Sequence, residues 1–539
     1  MDGGPVSGDG KSASWKLRPP VDALTQALVV TGFGGLPTGR ALFLELSAPG
    51  GAWLTALSTV APITTAEPPG QPEPDRAAAI AFTWTGLKTM GLADTALASF
   101  ARPFREGMMQ EDRLRRLGDR RGGKWLETVI AGGPQWSGNT PVHQPTAGPA
   151  TISGFDVADP GPPEEEIWTP VTVHVLLLLY ASSDQVIESW RTQIEAQLTP
   201  HGVRVAHSLP LVLDPNHIGV SSEHFGFADG LSQPHPFDEG GKVTVDGRSA
   251  HPGPVHGVPL GEFLFGYRNG HREAAPGPVV ADDDQRRAVV AELAPHPTAE
   301  GFFDLGLNGS YLVARQLKQD VAAFWNSMDA NAAKIRAQDP HHSAHITPDW
   351  LAERVVGRSR DGHLLCAPPV NYLPAAAGGL PDSSYRFHES DAAGVGCPPG
   401  SHVRRANPRD ALSPSADPGA RETALAAVNN HRILRRGRKF GTKIGDERKD
   451  DKDDRGLLFM CLNTDIARQF EFVQQTWLLN SNFATLLDEV DPLVGEAGRM
   501  TIREQPLRRT LHVETFVKMA GGEYFFLPSL PALNYLALL

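Results

Sequence analysis

An α+β fold with antiparallel sheets is what the 539 residues predict. Three observations carry this. Residues 25–240 order as two or three strands, a helix, a strand, a helix and a strand, the pattern of a ferredoxin-like unit. The second half runs through strands and helices again and reads as a second α+β unit, although no internal repeat ties the halves together. The apolar fraction, 40%, is ordinary for a folded chain and excludes global disorder.

The elements follow in order. Residues 1–24 read as a disordered lead. Its GDGKS (8–12) is no phosphate loop, because the required first glycine falls on Pro5 and no strand precedes it. ALVVTGFGGLPTGRALFLEL (27–46) reads as strand, turn, strand around a Gly/Pro cluster. GAWLTALSTV (51–60) has helical spacing of Trp53, Leu54 and Leu57. AIAFTW (79–84) is strand-like and TGLKTMG (85–91) a short helix. Residues 134–170, rich in Pro, Gly and Thr, read as an insertion. VTVHVLLLLYA (171–181) is an apolar strand. Ser183 caps a helix over 184–198, and VRVAHSLPLVL (203–213) is extended.

In the second half, SYLVARQLKQDVAAFWNSM (310–328) is a strand entering a helix. Residues 367–420 are irregular. HRILRRG (431–437) and RGLLFMCLN (455–463) are strands. TDIARQFEFVQQTWLL (464–479) is a helix with Ile466, Phe470, Val473 and Trp477 on one stripe. HVETFVKM (512–519) alternates as a strand.

Composition excludes several classes. The net charge is −12, without the basic face of a nucleic-acid binder. Three cysteines are too few for a disulfide framework or a Cys-rich zinc site. No apolar run reaches the roughly 18 to 20 residues that span a bilayer. The N-terminal stretch is polar, with no apolar core and no twin-Arg pair, so the expectation is a cytoplasmic protein with no membrane partner. HHSAH (341–345) has metal-like spacing but lies in a polar loop, and RKDDKDDRG (448–456) reads as a solvated turn.

Three stretches could carry chemistry. GFADG (226–230) sets Asp229 between two glycines, a tight turn that presents one carboxylate; its plain reading is an Asp-Gly turn. CPPGSHVRRANPRD (397–410) puts His402 in a Pro- and Arg-rich loop. Neutral imidazole is a good axial haem ligand, and neighbouring arginines such as Arg404 suit haem propionates; the plain reading is a solvated surface loop. HRILRRGRKFG (431–441) brings Arg435 to a strand end, where its fork can enter a cavity; the plain reading is a basic surface loop.

With GLLF (456–459), these motifs stand in the order in which they occur in the dye-decolorizing peroxidases, which the chain resembles over residues 25 to 535. Weaker support comes from TGFGGLP, AFTWTGLKTMGL, SYLVARQLKQDV and GGEYFFLPSL. The length is similar to that of the longer members. The resemblance implies tandem ferredoxin-like domains of the dimeric α+β barrel type, over 25–240 and 241–539, with haem b held by the second. It implies His402 as axial ligand of the haem iron, and Asp229 and Arg435 as the groups that act on hydrogen peroxide. Leu457 and Phe459 match distal-pocket positions, and ordinary strand core is their plain reading. A carboxylate should hold the other nitrogen of His402; Glu471 and Asp465 are the candidates, each with a helix-surface reading beside it. Large aromatic reductants would deliver electrons through surface Trp or Tyr residues. An acidic optimum is expected, since an unperturbed Asp titrates near about 4. A haem-trafficking or iron-releasing module, and a haem-free interaction protein, are the alternatives. The sequence leaves the oligomeric state open, a homo-oligomer included.

Overall fold

The computed structural model describes residues 15–539 apart from 70–73, 139–170, 216–219, 239–242, 246–247, 251–252, 283–289, 291, 367–382, 384 and 505–506. The inferred insertion at 134–170 and the irregular stretch at 367–420 therefore lie partly outside the described residues.

The first half supplies β1 (Thr38–Leu46), α1 (Ala52–Val60), β2 (Arg76–Phe82), α2 (Glu111–Arg116), β3 (Val175–Ala181), α3 (Asp184–Leu198) and β4 (Val203–Val212). The second supplies β5 (Ser310–Gln319), α4 (Val321–Gln338), α5 (His402–Ala406), β6 (Leu434–Arg435), β7 (Arg438–Phe440) and β8 (Gly456–Asn463). It ends with α6, a π-wound helix over 467–478, and β9 (Val517–Leu527). The first-half strands lie in the order β4–β1–β3–β2 and the second-half strands in the order β9–β5–β8–β7. β7 meets β4 at Lys439 and Val212, and β9 meets β2 at Phe526 and Phe82. Eight antiparallel strands thus close into a ring.

Strand periodicity sorts the core into two layers. Ala41 and Phe43 of β1 point into the ring, with Leu176, Leu178, Leu312 and Leu458. Leu42 and Leu44 point outward, under Trp53 of α1 and Trp190 of α3. β3 is buried along all seven residues because both its faces are covered, which explains its unbroken apolar run. The helix start read at Ser183 holds, since Ser183 accepts from Val186 N; α4 is capped likewise by Asp320, which accepts from Ala323 N.

Two expected strands change. Ala27–Val29 forms a 3-10 turn. Its Leu28 and Val29 carbonyls accept from the Arg436 guanidinium, while the Gln26 amide takes the hydrogen-bonding positions on Ile80 where a strand would pair. HVETFVKM is divided between a strand over Arg508–Val513 and β9, with a break at 514–516. HHSAH binds its histidines to carboxylates instead, His342 to Asp339 and His345 to Glu504. Among the described residues no group of three metal-binding side chains occurs. Among them, too, no helix is long and apolar enough to cross a membrane.

Candidate active site

A cavity of about 290 Å³ lies on the outer face of the second-half sheet, near the lower end of the size range of small-molecule pockets. Its sheet wall follows from β register. Arg435 of β6 stands opposite Cys461 of β8, and Phe459 and Leu457 follow at alternate positions, so all face one way. Arg315 and Leu317 of β5 pair with Phe459 and Leu457 and extend that wall. Its other wall is helical, with His402 and Val403 of α5 and Val473 and Leu478 of α6.

Asp229 reaches the sheet wall on the turn read from the sequence. Gly226 (φ 96°) and Gly230 (φ 78°) take left-handed conformations that favour glycine. A Cβ on Gly226 would also come within 2.8 Å of Arg360 Nη1. Asp229 Oδ1 accepts from Gly230 N at 2.6 Å and from Arg435 Nη1 at 3.0 Å. Arg435 Nη2 donates to Leu231 O at 2.6 Å, and the Gln233 amide bonds both the N–H and the carbonyl of Arg435. The pair is therefore fixed from both backbones, and among the described residues Asp229 Oδ2 accepts no hydrogen bond. Both side chains keep about a third of their surface open, 27% and 35%.

His402 begins α5. Its Nδ1 lies 2.9 Å from Asp491 Oδ2, so Nδ1 carries the proton and Nε2 is the available donor. Asp491 is fully buried. Its Oδ1 accepts from Leu493 N and Val494 N, an Asp-initiated turn. Burial raises the Asp491 carboxyl, but His402, Arg405 and the Val494 amide outweigh it and hold it below the usual range. Burial alone would depress the imidazole; contact with Asp491 reverses this and raises its proton affinity.

The carboxylate partner of His402 is thus neither candidate from α6. Glu471 is buried against Arg113 Nε (2.6 Å) and Tyr524 Oη (2.9 Å), where it fastens α2 to β9. Asp465 caps the start of α6 through Arg468 N. Asp491 lies 89 positions from His402, and its one sequence signal is an Asp-Pro turn. Arg404 also departs from expectation: it turns away from the cavity to Cys397 O and Asp391, over the Phe387 ring. Besides Arg315 and Arg435 of the sheet wall, Arg358 and Arg432 line the cavity. Arg432 hydrogen-bonds the carbonyls of Ser232 and Val255. Burial and the Arg409 charge lower it to about 9, against Tyr385, with Arg435 adding to the fall. The cavity therefore offers a free imidazole nitrogen on one wall, a cationic rim and apolar Leu457, Phe459 and Val473. These fit an anionic iron macrocycle.

Fold and site define an α+β protein with a closed antiparallel sheet and an internal cofactor-sized cavity. No family-level sequence profile matches the chain. It is 30% identical over 402 residues to the multifunctional dye peroxidase DyP2 of Amycolatopsis sp., covering 70% of this chain and 75% of that one. It is 27% identical over 419 residues to the dye-decolorizing peroxidase msp1 of Mycetinis scorodonius, covering 72% and 71%. Among solved structures, an ancestral D-type dye decolorizing peroxidase superposes with a TM-score of 0.65 at 25% identity, covering 97% of this chain and all of that one. The structure of DyP2 from Amycolatopsis sp. superposes at 0.62 and 22% identity, covering 98% and 99%. The chain belongs to the dye-decolorizing peroxidase family.

Proposed function

We propose that this chain is a haem b peroxidase that reduces hydrogen peroxide and oxidises dyes, phenols and other aromatic donors in one-electron steps. The observation that carries the reading is the Asp229–Arg435 pair facing the cavity that also receives the carboxylate-held His402. His402 Nε2 would hold the iron, and Arg432 and Arg358 would stand by the propionates. When bound, haem supplies the redox chemistry that no side chain here provides.

The chain's own residues supply proton control. Asp229 Oδ1 is engaged by Arg435 and Gly230, so Oδ2 is the atom that takes a proton from one peroxide oxygen and returns it to the other. Arg435, held by Leu231 and Gln233, stabilises the negative charge that develops on the departing oxygen. Leu457 and Phe459 keep water sparse beside them. Asp491 keeps the Nδ1 proton of His402 in place and makes Nε2 the stronger donor.

Donors too large for the cavity need a path for electrons. His431 lines the cavity, and its ring stacks on Phe472 at 3.8 Å and meets Trp477 at 5.3 Å. This stack is proposed as the cavity end of that route; Trp477 itself is buried, so it relays rather than meets the donor. We read residues 25–240 and 241–539 as tandem ferredoxin-like domains, supported by the strand order shared between the halves. A haem-trafficking module has no need of an acid paired with a fixed guanidinium, and is not favoured. The test is the optical spectrum of haem-loaded protein before and after peroxide, together with peroxide-dependent oxidation of a phenol. A Soret band that leaves phenol unoxidised would sink the enzyme reading.

A further inference from the structure

The short helix that begins at His402 is tied down by its two arginines in different directions. Arg404 turns to the loop before α5 and bonds Cys397 O and Asp391. Arg405 turns to the loop that ends at Asp491. Its side chain is fully buried, and among the described residues no carboxylate comes within ion-pair distance of it. A buried cation without a counter-charge is costly, so what it holds instead is informative. It holds two carbonyls of a single loop: Nη2 donates to Asn480 O at 2.6 Å and Nη1 to Glu489 O at 3.2 Å. The guanidinium also stands over the Phe483 ring, 5.0 Å from its centroid.

That loop, residues 480–490, has no regular structure. It leaves the end of α6 and returns close to where it started, since Asp491 N donates to Leu478 O at 2.8 Å and Glu489 N to Ser481 O at 3.2 Å. Ends this close make it a compact Ω-shaped loop. Arg405 sits across the neck, with one hydrogen bond to either limb. Within the loop, Ala484 (φ 52°) and Asp488 (φ 58°) take left-handed conformations, which residues other than glycine keep only where the surroundings impose them. Asp491 lies just beyond the neck. Its Oδ2 meets His402 Nδ1 at 2.9 Å, and its Oδ1 takes Leu493 N and Val494 N. Arg405 is three residues from His402 on the same helix, so one short element carries both the imidazole and the clamp on the loop that brings its partner.

We propose that Arg405 is a positioning residue that fixes Asp491 against His402, and so sets how strongly the imidazole donates to the iron. This rests on the haem reading of the cavity. A carboxylate in line with Nδ1–H lends the ring imidazolate character and makes Nε2 the stronger donor, which favours the oxidised metal. If the neck opens, the carboxylate moves off line and that gain is lost, although every atom of His402 and Asp491 is still present. Charge alone works the other way. Deleting a cation near the iron favours its oxidised form and lowers the potential, whereas a displaced Asp491 raises it. The sign of the change therefore separates position from charge.

The test compares wild type with Arg405→Met, Arg405→Lys, Asp491→Asn and the double variant Arg405→Met/Asp491→Asn. The first readout is the midpoint potential of the ferric/ferrous couple in haem-loaded protein, by spectroelectrochemistry. Asp491→Asn should raise it, Arg405→Met should shift it in the same direction, and the double variant should rise no further than Asp491→Asn alone. Lysine keeps the charge but has no planar fork to span two carbonyls, so Arg405→Lys should also sit above wild type. A potential that stays or falls in Arg405→Met, a further rise in the double variant, or full recovery of the wild-type value with lysine overturns the inference. If Arg405→Met does not fold, Arg405→Lys decides alone. The second readout is the downfield proton resonance of His402 Nδ1–H in haem-free protein. It should be lost or moved upfield in Arg405→Met as in Asp491→Asn, and an unmoved resonance overturns the inference equally. Wild type that binds haem without peroxide turnover defeats the peroxidase reading, and the potentials still judge Arg405. Wild type that takes up no haem defeats the haem reading, and the proton resonance still judges whether Arg405 places Asp491.

Discussion

At the scale of single residues, the site divides labour between charge and orientation. His402→Ala should abolish most haem binding, read as loss of Soret absorbance per protein. Asp229→Ala should keep haem and lower peroxide turnover by about 10²–10⁴-fold, the usual worth of a positioned acid–base group. Retained turnover would remove Asp229 as the proton carrier and leave Arg435 as the main group. Asp491→Asn keeps the shape but loses the carboxylate, and should weaken haem affinity by about 10–100-fold in titration. Residues within motifs are legible in the sequence: Asp229, His402, Arg435, Leu457 and Phe459 all reach one cavity. Partners chosen by three-dimensional packing are not. Asp491 is out of reach because nothing in its neighbourhood names His402, and Arg404 misleads because adjacency in sequence does not decide which arginine faces the cavity. Local backbone chemistry can be read along a chain; a contact across 89 positions is settled by the fold.

At the scale of elements, buried charge fastens the helices to the sheet. Glu471 on α6 joins Arg113 on α2 and Tyr524 on β9 with little access to solvent. Removing one partner strands the other, so Glu471→Ala should destabilise the fold by about 3–5 kcal/mol in denaturant unfolding. A cost under about 1 kcal/mol would mean that water reaches the site. The basic run at 431–441 shows why element-level reading errs. Arg436 and Arg438 look like surface charges, yet their guanidinium groups collect the carbonyls of Leu28, Val29, Gly32, Phe33 and Leu36. Burial lowers both to about 10. They turn an apolar run that reads as strand into a loop seated on the ring. The stack of His431, Phe472 and Trp477 gives an element-scale expectation as well. Trp477→Phe should depress oxidation of bulky dyes more than that of a small phenol, compared as kcat/KM, and equal losses would reject the route.

At the scale of the whole molecule, pH acts on stability through groups far from their ordinary proton affinity. Burial makes Glu223 bind its proton more tightly folded than unfolded. Between about 4.3, the ordinary glutamate value, and about 7 the folded state therefore holds more protons, so stability falls as pH rises. Thermal melting of wild type should decline across that window relative to Glu223→Gln, and parallel curves would contradict it. The α+β class and most strands of the ring are legible because alternation and apolar runs reflect local burial. Closure of the ring is not, since its strands join across the halves at Lys439 with Val212 and at Phe526 with Phe82, single-residue bridges that no local pattern marks.

That closure bears on survival in solution. A sheet whose last strand returns to its first leaves less open rim onto which another copy could add a strand, and beside one junction the Gln26 amide occupies the edge at Ile80. Eight strands can thus sit side by side with little exposed ladder to template their own aggregation.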